Sequence, residues 1–229
     1  MDDDLDFDFE EFERECELHE KEMDILNAEI DNAFEWIDLL FELKSSVERF
    51  NENMNSLNEA IESQKNESDL NSFLYGTLLV GIISVYEGFI HELFSACCNK
   101  TDYIKLALSN IKKLNDKDAN YLKISSQKTL SEDELKQKLL RATLHDPIQI
   151  SRLSDALFGL KMPTIKNDFS KKLLDLRNAF THNNGYLGGQ YVKPSHQDVK
   201  TVHYLFVALI NGYVNSITKS SEVDLELMK

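Results

Sequence analysis

The chain has 229 residues, with 40 Asp and Glu against 25 Lys and Arg, and a formal charge of −15 at pH 7. That length suits one large domain with a real core, or one domain with an appendage. Eight Gly and three Pro are few, and Leu, Glu, Lys, Asp and Asn abound, which predicts an all-α protein with short connections. Cys16, Cys97 and Cys98 form neither a disulfide framework nor a metal-type spacing and read as reduced thiols of a cytoplasmic protein.

The charge is unevenly spread. Residues 1–70 hold 24 acids and 5 bases, whereas residues 71–229 hold 16 acids and 20 bases. The second part is mildly basic, so whole-chain charge does not exclude an anionic partner for it. Residues 1–13 open the chain as an acidic tail, with Leu5, Phe7, Phe9 and Phe12 spaced among the acids. Such a tail is flexible and solvated, or serves as a docking or masking arm for a basic groove or a protein partner or inhibitor. It is the opposite of a secretory leader.

The remainder, 14–229, reads as a single helical domain. Apolar residues recur over about 16–63 at Leu26, Ile30, Ala33, Ile37 and Leu40, then at Leu43, Val47, Phe50, Met54, Leu57 and Ile61. The steps alternate four and three except for one extra three at Leu40 to Leu43, a stammer in a heptad-like seam of one long helix. Trp36 and Phe41 lie off the seam and either widen the stripe or touch a partner. A polar connection follows at 63–69, with Ser68 or Asp69 as N-cap.

The next helix, about 70–99, is apolar on all sides from Phe73 to Tyr86. That run is too short for a membrane span and is followed by Glu87, His91 and Glu92, so it predicts the central helix of a bundle. Gly76, Ser84 and Gly88 would admit close neighbours. Residues 100–165 read as a helical insertion. It comprises a helix over Tyr103 to Leu114, a polar loop over Asn115 to Thr129, and a helix opened by a Ser131 and Glu134 capping box. A further helix is capped by Asp146, with Pro147 in its first turn, and reaches Leu160. Arg141 and His145 read as ordinary helix surface.

A helix over about 166–182 follows, burying Phe169, Leu173, Leu176 and Phe180 and closed by Asn183, Asn184 and Gly185, with Gly188 and Gly189 keeping the next loop open. Ser195 caps the last helix, about 196–219, with Val202, Leu205, Phe206, Leu209, Tyr213 and Ile217 inward. These two helices are expected to form an antiparallel hairpin. His196 and His203 read as surface or core histidines.

Arg177, Asn178 and His182, within LDLRNAFTHNNG, are the one chemically pointed constellation. An Arg followed five positions on by His is a short pattern, so its context carries the weight: a helix end, an Asn beside the Arg and a Gly-containing loop. In this setting RNAFTHNNG resembles the Arg-x4-6-His signature of the HEPN superfamily, small helical bundles many of which are metal-independent endoribonucleases of toxin–antitoxin and antiviral systems. Ser84 to Phe94, SVYEGFIHELF, is similar to the second core helix of prokaryotic HEPN-like families. The resemblance covers about 70–99 and 166–219, and implies an all-α HEPN-like bundle to which the long N-terminal helix and the insertion are additions.

It also implies roles. Arg177 would bind the scissile phosphate, His182 would transfer protons, and Asn178 would be the polar residue beside them, with no metal or cofactor. Glu87 falls where many members carry a Glu followed, after three residues, by Lys-Arg. Here His91 and Glu92 take those places, so the helix loses basic character, with His91 a partial substitute. Tyr186 is four residues after His182, not two, so modification by a partner nucleotidyltransferase is not implied.

The chemistry stands without the family name. RNA cleavage through the 2′-hydroxyl needs a group able to move a proton near neutral pH and a fixed cation on the phosphate, which His and Arg supply. Five helical residues turn about 500°, so the two side chains diverge by about 140° unless the helix frays. The family's usual answer is a homodimer that pools two Arg and two His. A non-catalytic interaction protein is the competing class, with Arg177 paired to Asp175 or to acids of the long helix and His182 merely closing its own.

Overall fold

The computed structural model describes residues 9–64, 72–124 and 129–226, and its fold is all-α. The helices are α1 (Phe9–Ser63), α2 (Ser72–Asn99), α3 (Thr101–Asn110), α4 (Asp116–Tyr121), α5 (Glu132–Arg141), α6 (Pro147–Phe158), α7 (Asn167–His182) and α8 (His196–Glu226). A two-stranded antiparallel hairpin, β1 (Tyr186–Leu187) with β2 (Gln190–Tyr191), joins the last two helices. The expected caps at 68 and 69 lie outside the described residues.

α2 passes the length and hydropathy test for a membrane span, but its apolar surface is used by the bundle. Leu79, Ile82, Ile83, Tyr86, Ile90 and Leu93 are each at most 1% exposed. α1, α7 and α8 pack along it, and α3 and α5 cover its C-terminal part. Gly76 does admit a close neighbour, for a Cβ there would stand 2.2 Å from the Phe180 ring. Ser84 and Gly88 do not, since both are exposed and nothing lies within 4 Å of a Cβ at Gly88. Tyr86 and Tyr213 share a buried 2.9 Å hydrogen bond that ties α2 to α8. His203 is a core histidine bonded through Nε2 to the Met54 carbonyl of α1 at 3.0 Å.

Several expectations are corrected. Helix begins at Phe9, so residues 9–13 extend α1 and do not form a flexible tail; residues 1–8 lie outside the described range. Trp36 is fully buried and heads the core stripe of Leu39, Leu43, Phe50, Met54 and Ile61, while Leu26, Ile30 and Ile37 are 44–47% exposed. The single seam is thus two stripes on opposite faces, and the stammer marks the changeover. α7 and α8 each pack chiefly on α2 rather than on each other, so the expected hairpin of two helices is not the main contact of either. Phe169 is 37% exposed, and Ser170 and Ala179 complete the buried face of α7.

Within 100–165, the loop expected after Asn115 holds α4. Asn115 caps it by accepting the Asp118 N–H at 2.9 Å. Asp118 is buried and takes an Arg152 Nη2 donor at 2.6 Å, which pins α4 to α6. Ser131 and Glu134 form the expected reciprocal box, and Asp146 with Pro147 opens α6 as expected.

The α1 junction with α2 and α3 is built around Lys100. The Lys100 ammonium is buried at 4.9 Å from the Trp36 ring centre and 5.6 Å from that of Tyr103, donating to Asn32 Oδ1 at 2.5 Å. Glu35 accepts the Thr101 backbone N–H at 2.9 Å, satisfying an orphan donor at the start of α3. Trp36→Ala should therefore cost about 3–5 kcal/mol, as a fully buried large-to-small change. Phe34→Ala, on the opposite face, should stay within about 0.5 kcal/mol. Urea unfolding of the two variants measures the difference, and similar losses would contradict the two-stripe description.

Candidate functional site

α7 holds the Arg177, Asn178 and His182 set at its last two turns. Its register on α2 is set by Phe180, which sits over Gly76 and is tilted against Phe73 at 6.1 Å between ring centres. The helix then stops sharply. The Ala179 carbonyl accepts both the Asn183 N–H at 3.0 Å and the Gly185 N–H at 2.8 Å, while Asn184 (φ 49°) and Gly185 (φ 87°) turn through left-handed conformations. A Cβ on Gly185 would meet the Tyr191 ring at 2.7 Å, so this position needs glycine for space as well as for conformation.

Gly188 (φ 57°) and Gly189 (φ 81°) do not keep a loop open; they form the two-residue turn of the β1–β2 hairpin, where both central residues have positive φ. The hairpin folds back so that Tyr191 packs edge-on to Phe180 at 6.4 Å and to Tyr186 at 5.4 Å. Phe73, Phe180, Tyr191 and Tyr186 thus make a continuous aromatic run from α2 to the surface. It ends at Tyr186, which is 50% exposed a few residues beyond His182. The alternation in YLGGQY was the available sequence signal, but two-residue strands are too short for a pattern to single out.

His182 and Asn178 are exposed and Arg177 is half-buried. Arg177 Nη1 donates to Asn178 Oδ1 at 3.3 Å, and among the described residues Arg177 makes no ion pair, with Asp175 or with the acids of α1. Helical geometry persists through His182, so the two side chains keep the divergence of about 140° and a separation along the axis of about 7.5 Å. They lie on open surface. Two clefts of about 510 and 520 Å³ among the described residues are lined by other residues, around Arg141 and around Arg49 respectively.

Glu87 and His91 are not brought to this motif. Glu87 is eleven residues beyond Gly76 along α2, about 16 Å along the axis. Its carboxylate accepts the Leu144 N–H at 2.8 Å and lies 3.7 Å from His145 Nδ1, so it anchors the segment between α5 and α6. His145 is accordingly half-buried beyond the end of α5, not on a helix surface with Arg141. Burial alone would raise the Glu87 pKa, but His145 and the Leu144 N–H outweigh it and hold Glu87 below its ordinary value. At 3.7 Å the His145 contribution is one of charge more than of hydrogen bonding. Glu92 is engaged too, forming a two-pronged ion pair with Arg49 Nε at 3.2 Å and Nη2 at 2.9 Å.

Cys97 and Cys98 are buried thiols whose pKa values rise with desolvation, that of Cys98 to about 12, which leaves them protonated and inert as nucleophiles. Among the described residues no group of three or more His, Cys, Asp or Glu is placed to hold a metal ion. Set against known protein families, curated proteins and solved structures, the chain matches none of them. The HEPN resemblance therefore rests on residues of this chain alone.

His91 gives a test of the polar groups beside Glu87. Burial depresses its pKa below the ordinary 6.5, with Glu87 offsetting part of the effect, and its Nδ1 has no hydrogen-bond partner among the described residues. The unfolded chain binds that proton more readily, so the stabilisation is present above about pH 6.5 and is lost as pH falls through the folded value. Glu87, held below 4.5, stays ionised over that window. Urea unfolding at about pH 7.5 and pH 5.5 should show a stability loss at the lower pH that His91→Gln reduces. An unchanged loss would remove His91 as its source.

Proposed function

We propose that the chain is a HEPN-type, metal-independent endoribonuclease of an antiviral defence or toxin–antitoxin system, acting in the cytoplasm as a homodimer. The observation that carries this reading is that Arg177 and His182 stand at a helix end on open surface and, among the described residues, have no acidic partner. A guanidinium held only by a neighbouring amide is available to a phosphate, and bidentate geometry suits it to that ligand. The surrounding segment 166–193 holds Lys166, Lys171, Lys172, Arg177 and Lys193 against Asp168 and Asp175, a local positive balance that favours an anion despite the net charge of the chain.

In the reaction, the ribose 2′-hydroxyl gives up its proton to an imidazole and its oxygen attacks the adjacent phosphorus. The P–O5′ bond breaks, and the departing 5′-oxygen takes a proton from an imidazolium. The products are a 2′,3′-cyclic phosphate and a 5′-hydroxyl, and Arg177 balances the charge that builds on the phosphoryl oxygens. A base and an acid on opposite sides of the phosphate require two imidazoles. The divergence of Arg177 from His182 within one chain likewise calls for two copies, which supports a composite site. Tyr186, exposed at the end of the aromatic run, offers a ring on which an unpaired base can stack.

Purified protein incubated with RNA in EDTA should cut it, leaving cyclic phosphate ends. His182→Ala and Arg177→Ala should each lower the rate by about 10²–10⁴-fold, and Tyr186→Ala should act mainly on KM. Cutting that survives both of the first two substitutions would exclude the site. A non-catalytic assembly protein is the second reading, favoured by the exposed apolar stripe of α1. Absence of RNA cleavage together with a stable partner would select it.

A further inference from the structure

The N-terminal part of α1 carries a second interaction surface, independent of the Arg177 and His182 site. From residue 9 to residue 28 every position is exposed, so this stretch runs as a helix beyond the bundle. Leu18 and Ile25, 59% and 61% exposed, lie on the core side of the helix, but from Met23 onward one apolar stripe runs along the other face. Met23, Leu26, Ile30, Phe34, Ile37 and Phe41 are 42–66% exposed and follow one another in steps of three and four. At about 100° per residue they fall within a band about 80° wide, on the face opposite the Trp36 to Ile61 core stripe. The band is about 27 Å long, five turns, which is long enough to seat a partner helix.

Its borders identify that partner. Along one edge run Asp31 and Asp38, with Glu20 just before the band; along the other run Glu22 and Glu29, with Glu15 before them and Ala33 and Leu40 after. Arg14 and Lys21, the bases of this stretch, project from the far side of the helix. In a two-stranded coiled coil these border positions face the border positions of the partner. A second copy of the same stripe would set acid against acid on both edges, in parallel and in antiparallel orientation alike. A helix with Lys or Arg on both sides of its own apolar stripe matches both edges at once. The lower end of the band is continuous with a ready landing place. Phe41 lines the 520 Å³ cleft with Arg49, His91 and Leu140, the last of these 62% exposed on α5.

We infer that α1 docks a basic amphipathic helix of a different protein along the Met23–Phe41 band. The first turn of α1 and the residues before it are not needed for this. The contact is heterotypic, and the acidic borders disfavour self-pairing of the arm.

A labelled 28-residue peptide of four heptads, with Leu at the two core positions and Lys at both border positions, serves as probe for the full-length chain in fluorescence anisotropy. A control peptide carries Glu at the borders, and another keeps Lys there but has Gln in place of Leu. Saturable binding of the Leu/Lys peptide alone is expected, weakening as salt rises. Ile30→Asp with Ile37→Asp should weaken it at least tenfold without lowering the melting temperature, because both side chains are exposed. Glu22→Lys with Glu29→Lys should shift preference towards the Glu-bordered peptide.

No binding of the Leu/Lys peptide overturns the inference. Equal binding of the Gln/Lys control also does so, since that is attraction to charge alone. If sedimentation shows a dimer that the Ile30 and Ile37 substitutions dissociate, the band pairs copies of this chain and the inference fails. RNA cleavage by the same variants reads the Arg177 and His182 site separately, so failure of one reading leaves the other standing.

Discussion

α2 has almost no face to give to water, and the rest of the bundle follows from that. A helix of 28 residues with apolar side chains around most of its circumference must be enclosed, and the chain encloses it with three long helices and the α3 and α5 cover. Beyond Phe73 and Leu74 in its first turn, which are exposed, what stays open is a narrow strip of small or polar residues, including Thr77, Ser84, Gly88 and Ser95. The enclosure also fixes the candidate site. Phe180 can sit only where α2 lacks a side chain, at Gly76, and that contact sets both the height and the rotation of α7. Arg177 and His182, three residues before and two after Phe180, take their directions from that register.

A second constraint acts on α1 at Lys100. A buried ammonium is costly unless its charge is balanced, and here two aromatic faces, an Asn oxygen and Asp102 at 3.3 Å share that role. The arrangement requires Trp36 and Asn32 on the same side of α1 as the core. Towards the N-terminus every position from residue 9 to residue 28 is exposed, so the apolar pattern no longer has to follow the core face, and from Met23 to Phe41 its main stripe runs on the opposite one. Lys100 therefore marks the changeover between the part of α1 that completes the bundle and the part that leaves it.

Much of the fold was legible because its signals are local. The caps at Ser131, Asp146 and Ser195 and the stop after His182 depend on a few adjacent residues and stand where the residue types place them. What periodicity could not decide was which stripe of α1 faces the core, because both have helical spacing and they overlap between Trp36 and Phe41. Only the position of Lys100 and Tyr103, more than sixty residues on, settles it. α4 escaped notice because six residues are too few for a period, although its Asn115 cap was present. At the candidate site, the helix end and the exposure of His182 were legible. The aromatic run through Tyr191 was not, since it depends on a hairpin whose strands are two residues long. Glu87 and His91 were grouped with the motif by resemblance, yet Glu87 meets Leu144 and His145 between α5 and α6 and His91 meets Leu139 of α5, which spacing along α2 does not reveal.

The uneven charge acquires a structural meaning from these two constraints. Of the 24 acids among the first seventy residues, 17 lie on α1, much of which stands clear of the bundle, while the segment around Arg177 is locally basic. At physiological ionic strength fields fade over about 8 Å, far less than the length of the exposed arm. The two surfaces can therefore carry opposite preferences in one chain: an anion at the end of α7 and a cationic helix along α1. A net charge of −15 averages over both and describes neither. Among the described residues no carboxylate pairs with Arg177, which is the condition for a phosphate to take that place.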